Sequence, residues 1–155
     1  MYGSLLFGGL FLWVVAPGWP PPHAATIALV PAIIAAVGAV GAAGAGRLSV
    51  RRLHANASPA GWLTCALAAH VLGAAALGWM AGRIDDPTRH AQGAILFVLL
   101  IYAGLRSGLG AVLSGYGLWR WNAGYVSRIR SLDLRIGRAW HDYAAVSGLV
   151  ALAAA

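Results

Sequence analysis

Hydrophobic residues gather into five runs along the chain, and short polar segments separate them. The runs cover about residues 2–15, 24–45, 60–80, 93–118 and 143–155. At a helical rise of ~1.5 Å per residue, the three central runs are long enough to cross the hydrocarbon core of a bilayer. We expect the two terminal runs to be short or truncated transmembrane helices. The pattern predicts an all-α integral membrane protein, a single bundle of about five transmembrane helices.

Small residues recur at helical spacing inside two of the runs. Gly38, Gly41 and Gly44 repeat in the second run, and Gly104 and Gly108 form a G-x-x-x-G pair in the fourth. A glycine lets a neighbouring helix come close, which is a common basis of helix association in lipid. We expect both stripes to be helix-packing faces.

The composition agrees with a membrane protein. Of the 155 residues, 60% are hydrophobic and 10% are charged, whereas soluble domains are roughly 25% charged. The net charge of +7 comes from eleven arginines against four aspartates, with no Lys and no Glu. Because the arginines mostly lie in the short segments between the apolar runs, they indicate membrane topology rather than nucleic-acid binding.

The arginines are distributed unequally between alternate connections. Eight lie in the segments 46–59 and 119–142 together, and two lie in the connection between the third and fourth runs. The positive-inside rule then predicts that the N-terminus and both basic segments are cytoplasmic.

The segment 119–142 is too long and too polar for a simple turn. Arg128, Arg130 and Arg135 occur in it together with several aromatic residues. We interpret it as a basic amphipathic loop that brings arginines to anionic headgroups or to a partner subunit. The alternative is a solvated loop that only sets topology.

Arg106 lies near the middle of the fourth run. A charge at the membrane centre costs at least ~2.5–3.5 kcal/mol on insertion scales. Because no other apolar run offers a carboxylate, we expect its partner to lie outside this chain, as a carboxylate, a lipid phosphate or a helix-end carbonyl at a subunit boundary.

The histidines do not predict a haem or metal site. A haem held by two histidines needs both on facing helices at similar depth. His70 is central in the third run, while the predicted helix boundaries place His90 and His141 at helix starts. His70 is therefore expected to lack a partner at its depth within the chain and to be a structural histidine. All four aspartates are expected at helix ends or in loops, and we predict no catalytic or metal-binding residue.

Several short motifs follow one another in a familiar order. They are Asp86-Pro87 and His90 before the fourth run, Tyr102-Ala103-Gly104-Leu105 within it, the basic segment 124–135, Trp140-His141-Asp142-Tyr143, and Gly148-Leu149-Val150. From about residue 60 onward, the chain resembles the subunit-III-like portion of bacterial haem–copper (cytochrome c) oxidases, which in many of them is fused behind subunit I. Arg106 stands where that family usually has a histidine.

The resemblance implies an accessory, non-redox subunit in the bacterial cytoplasmic membrane. It would pack against the catalytic subunit I, with subunit II in the same complex, and hold phospholipid. Haem and copper would belong to those partner subunits, so this chain would have no active site. The residues expected at a subunit interface or at lipid are Arg106, His70, His90, Arg128, Arg130, Arg135, Trp140, His141, Gly104 and Gly108.

Two other functions are compatible with the sequence. One is a haem-bearing or structural membrane anchor of another respiratory complex, in which His70 would pair with a histidine of another chain. The other is a small anion transporter, in which Arg106 would face the anion path.

Overall fold

The computed structural model describes residues 2–15, 28–87 and 89–153. In these ranges the chain forms five α-helices and no strand: α1 (Tyr2–Val15), α2 (Leu29–His54), α3 (Ala60–Ala81), α4 (Ala91–Asn122) and α5 (Leu132–Ala153). Among them, α2, α3 and α4 are long and apolar enough to cross a membrane. The protein is therefore helical and of membrane type, as the hydrophobic pattern predicts.

Local chemistry fixes several of the helix boundaries. α2 ends before Asn56, whose φ of 57° is left-handed, a conformation that asparagine tolerates better than most residues. Ser58 then accepts a hydrogen bond from the backbone N–H of Ala60 at the start of α3. After α4 the chain turns at Gly124, with a φ of 75°, where glycine avoids the steric cost of a side chain.

Four helices enclose the core. α2 and α4 each pack against both α3 and α5, and α1 contacts α4 at the edge of the bundle. The approach of α2 to α3 is close at Gly38, where an added Cβ would lie 2.8 Å from the carbonyl oxygen of Ala69. The same added atom at Gly41 or Gly44 would meet nothing within 4 Å. Of the predicted glycine stripe in α2, Gly38 is therefore the residue that packs.

Both basic connections lie at one end of the bundle. A cluster of buried side chains joins α2, α3, α5 and the α4–α5 connection there, and it contains Val50, Leu53, Leu63, Val126 and Leu134. Leu118 and Trp121, near the end of α4, pack against this cluster. The connection between α3 and α4 is at the other end, because α3 runs antiparallel to its neighbours. Large apolar side chains elsewhere on α2 and α4, such as Val37 and Val112, are exposed, as expected for helices that face lipid.

Two predicted helix boundaries are wrong. α2 continues to His54 instead of ending near residue 45, and α5 begins at Leu132 instead of residue 143. The predicted loop 119–142 is consequently reduced to residues 123–131 between α4 and α5. The predicted start of α5 is wrong because arginines are typical of loops, whereas the buried residues of α5 keep a helical spacing through the basic stretch. The predicted start of α2 near residue 24 lies outside the described residues.

Candidate functional site

Two histidines form a buried pair at the centre of the bundle. Nε2 of His70 on α3 lies 2.8 Å from Nδ1 of His141 on α5, and the two side chains are 1% and 2% exposed. The expectation that His70 lacks a partner at its depth is therefore wrong. Since α5 begins at Leu132, His141 lies more than two turns inside a helix and not at its start.

Glycines on the other two core helices make room for the imidazole rings. The ring of His70 lies against Gly110 of α4, and the ring of His141 lies against Gly46 of α2. A Cβ added at either glycine would overlap the adjacent ring. The histidine pair therefore fits only because the facing helices carry no side chain at these positions.

Ser107 determines the direction of the hydrogen bonds. Its hydroxyl donates to the backbone carbonyl of His70 at 3.0 Å, so its oxygen is free to accept from Nδ1–H of His70 at 3.1 Å. A neutral imidazole with its proton on Nδ1 carries a lone pair on Nε2. That lone pair accepts from Nδ1–H of His141. This assignment of both tautomers follows from the hydrogen-bond network.

Ser114 extends this row of polar groups toward the basic end of the bundle. Its hydroxyl donates to the carbonyl of Gly110 at 2.9 Å, and its oxygen lies 3.4 Å from Nε2 of His141. Together, Ser107, His70 and His141 join α3, α4 and α5 by side-chain hydrogen bonds, and Ser114 contacts the far nitrogen of His141. The chemistry available to this row is hydrogen bonding and exchange of protons between imidazole nitrogens.

The histidine pair does not fit a haem or a metal ion between its rings. The ring nitrogens share a direct hydrogen bond, which leaves no space for an iron atom between them. The adjoining cavity, lined by His70, Ser107 and Leu77, has a volume of about 10 Å³, close to the size needed for a single water molecule. Among the described residues, no group of three or more His, Cys, Asp or Glu side chains is placed to hold a metal ion.

Arg106 on α4 is enclosed by aromatic side chains. It is 7% exposed, and its guanidinium carbon lies 4.1 Å from the ring centroid of Tyr102 and 4.5 Å from that of Tyr143. Trp140 donates a hydrogen bond from its indole to the backbone carbonyl of Arg106 at 3.1 Å. Cation–π contacts of this kind are worth about 2 kcal/mol or more when desolvated. Part of the stabilisation of Arg106 therefore comes from within the chain, and a partner outside it stays a prediction.

Asp142 forms an ion pair between α5 and α2. Its carboxylate lies 2.9 Å from Nε of Arg47 and 3.9 Å from Nε of Arg138. The prediction that every aspartate lies at a helix end or in a loop is therefore wrong for Asp142. The pair ties the end of the apolar part of α2 to the middle of α5.

The other predicted site residues are dispersed. His90 is exposed immediately before α4, and Arg128, Arg130 and Arg135 are exposed at the basic end. Gly104 packs against Leu77 and Ala74 of α3, whereas an added Cβ at Gly108 would meet nothing within 4 Å. The structure brings together His70 with His141, and Trp140 with Arg106.

An open apolar groove runs along the outer side of α3 and α4. Its volume is about 480 Å³, within the usual range of roughly 300–1,000 Å³ for ligand-sized sites. Three glycines form part of its wall: Gly78, Gly104 and Gly108. Exposed side chains of Leu105, Leu109 and Val112 border it. The groove therefore presents helix backbone to the outside of the bundle between large apolar side chains.

Sequence reasoning missed several residues of the histidine site. Ser107 and Ser114 lie two helical turns apart in the sequence, which places both on one face of α4, where Ser107 contacts His70 and Ser114 contacts His141. Gly46 and Gly110 carry no sequence signal that separates them from the other glycines.

Comparison with known proteins adds no identification. No family model, no curated protein and no solved structure matches this chain.

Proposed function

We propose that this protein is an accessory, non-redox subunit of a bacterial haem–copper (cytochrome c) oxidase, packed against the catalytic subunit I and holding lipid. The oxidase assignment rests on the motif resemblance from about residue 60 onward. Haem, copper and catalysis would belong to subunits I and II. The structural observation that carries the accessory role is the glycine-walled groove on α3 and α4.

The groove fits a transmembrane helix of subunit I. At Gly104 and Gly108 a partner backbone can approach α4 closely, and Leu105 and Leu109 can pack on either side of it. Apolar side chains gain little by leaving lipid for another apolar surface, so close packing supplies the attraction in a membrane. Gly38 makes the same kind of contact inside this chain, because its lack of a side chain lets the backbone of α3 approach α2 closely.

The buried centre supports a scaffold rather than a substrate site. His70 and His141 form a hydrogen bond with each other, His70 also bonds Ser107, and the cavity beside them has room for about one water molecule. This network holds α3, α4 and α5 in one fixed arrangement. A fixed arrangement of α3 and α4 is what a docking groove between them requires.

The topology in this proposal follows the arginine distribution. The basic connections lie at the same end of the bundle, so one compartment receives both of them. We assign this end, together with the N-terminus, to the cytoplasm by the positive-inside rule.

Co-purification from the native membrane tests the proposal. The tagged chain, isolated in mild detergent, should bring down a haem-bearing subunit I, identified by mass spectrometry and by a reduced-minus-oxidised spectrum. Gly108→Leu should lose the partner because it fills the groove. Gly41→Leu is the matched control, since Gly41 is exposed on α2 and outside the groove. Recovery of a colourless homo-oligomer would overturn the oxidase assignment and favour the anion transporter.

A further inference from the structure

A basic, apolar surface projects at the end of the bundle where α4 leads into α5. We call it the basic rim and define it by Arg128, Ile129, Arg130, Leu132, Arg135 and Ile136. Ile129 is 94% exposed and Leu132 is 66% exposed. These are large apolar side chains held outside the core, so the rim differs from an ordinary solvated loop.

The rim is held in a defined shape. Val126 is buried in the apolar cluster with Leu53 and Leu63, and Leu134 anchors the other side of the rim in the same cluster. Between these anchors, the backbone N–H of Arg130 donates to the hydroxyl of Ser127 at 3.2 Å. The turn therefore projects Arg128 and Ile129 at its tip, away from the bundle.

The positive charge of the rim is not neutralised by the chain. Among the described residues, Arg128, Arg130 and Arg135 form no ion pair. Asp133, the acidic residue within this stretch, lies 3.0 Å from Arg120. Three exposed guanidinium groups therefore remain available to an anionic partner.

Aromatic rings place the rim at the edge of the apolar layer. Trp119, near the end of α4, lies 5.8 Å from Tyr116 and 6.2 Å from Tyr125 between ring centroids. Trp and Tyr collect at the boundary between hydrocarbon and headgroups. The rim begins directly after these rings along the chain, which indicates a position near that boundary.

We propose that the basic rim docks on anionic phospholipid headgroups of the surrounding bilayer. Arg128, Arg130 and Arg135 bind the phosphates, while Ile129, Leu132 and Ile136 enter the region of the upper acyl chains. Arginines alone could bind any polyanion. A soluble polyanion, however, provides no apolar environment for an isoleucine that is almost fully exposed. Arginines interleaved with large apolar side chains match a membrane interface. The inference rests on the membrane placement in the proposed function and not on its oxidase assignment.

Lipid retention tests this docking. The full chain is reconstituted in nanodiscs of equal parts phosphatidylglycerol and phosphatidylcholine, and lipids that remain on the released protein are counted by native mass spectrometry. Each arginine near the surface should enrich the anionic lipid roughly fivefold, since about 1 kcal/mol per arginine is typical. The triple variant Arg128→Gln/Arg130→Gln/Arg135→Gln should lose most of this enrichment. The matched control Arg83→Gln/Arg89→Gln, at the opposite end, should retain it.

A second readout locates the apolar half of the rim. In a Cys65→Ser background, Ile129→Cys labelled with a polarity-sensitive dye should emit as in an apolar medium and be quenched by nitroxide-bearing lipid. Water-like emission from the dye at Ile129→Cys, with the three rim arginines in place, would overturn the proposal. Retention of as much phosphatidylglycerol by the triple variant as by the wild type would overturn it too. A soluble acidic protein bound to the rim in place of lipid would overturn it as well. Because subunit I plays no part in these nanodiscs, their result is independent of the co-purification test.

Discussion

Nε2 of His70 lies 2.8 Å from Nδ1 of His141, so a single hydrogen bond links α3 to α5 through the middle of the bundle. Such a bond requires a lone pair on one ring and a proton on the other. Ser107 determines which ring carries which, because its hydroxyl donates to the carbonyl of His70 and its oxygen accepts a hydrogen bond from Nδ1–H of the same residue. The pair is therefore stable as two neutral rings with defined tautomers.

Removing both histidines should cost less than the sum of the two single removals. His70→Leu leaves the Nδ1–H of His141 buried without its acceptor, which costs about 1–3 kcal/mol. Replacing both rings by leucine removes donor and acceptor together and should be less than additive, with a coupling of about 0.5–3 kcal/mol. Unfolding by sodium dodecyl sulfate in mixed micelles, followed by circular dichroism, measures each variant. Additive losses would show that the hydrogen bond contributes nothing specific.

The glycines that face the rings should tolerate no side chain. Gly110→Ala would push a methyl group into the imidazole of His70, and overpacking of this kind costs about 1–3 kcal/mol. Gly115→Ala is the control on the same helix, because its added Cβ meets nothing within 4 Å. That control should be neutral or gain up to about 1 kcal/mol from the higher helix propensity of alanine. Equal stability of both variants in the same unfolding assay would contradict the assigned packing.

The histidine pair shows where sequence reasoning failed and why. The apolar run that begins at residue 143 suggested the start of the last helix, because Arg135 and Arg138 look like loop residues. Leu134, Gly137, His141 and Ala145 are all buried on α5, and their spacing of three and four residues is that of a helix face. This periodicity was present in the sequence, and using it would have placed His141 inside a helix.

The environment of Arg106 was only partly predictable. Tyr102 precedes it by four residues, so a contact between the two side chains follows from helix geometry. The contact with Tyr143 depends on how α5 packs on α4, which no local pattern determines. The long apolar helices, in contrast, were predictable from hydrophobicity alone, since length and composition are sufficient to identify them.

The aromatic enclosure of Arg106 should distinguish arginine from lysine. Arg106→Lys keeps the charge but loses the planar stacking on two rings, and we expect a loss of up to about 2 kcal/mol in the unfolding assay. Tyr143→Leu removes one of the two rings and should therefore lose part of the same stabilisation. Tyr143→Phe keeps the ring face and should stay close to wild type. A lysine variant as stable as wild type would remove the stacking argument.

Arg106→Leu tests whether this residue also acts at a subunit boundary. In the oxidase proposal, loss of the guanidinium should reduce recovery of subunit I with the tagged chain. Arg106→Lys serves as the comparison, because it keeps a positive charge at the same depth. Unchanged recovery with the leucine variant would exclude a partner-directed ion pair at Arg106.

The positions of the two basic connections give a prediction about topology. Both lie at one end of the bundle through the cluster that includes Leu53 and Val126, so single cysteines at their exposed tips must share a compartment. In a Cys65→Ser background, Ser58→Cys and Ala123→Cys, both at exposed positions, should be protected from an impermeant maleimide added to intact cells, whereas Asp85→Cys should react. Disrupting the membrane should expose the first two. Labelling of Ser58→Cys and Ala123→Cys in intact cells would place the basic end outside and contradict the positive-inside assignment, while labelling of only one of them would contradict the fold itself.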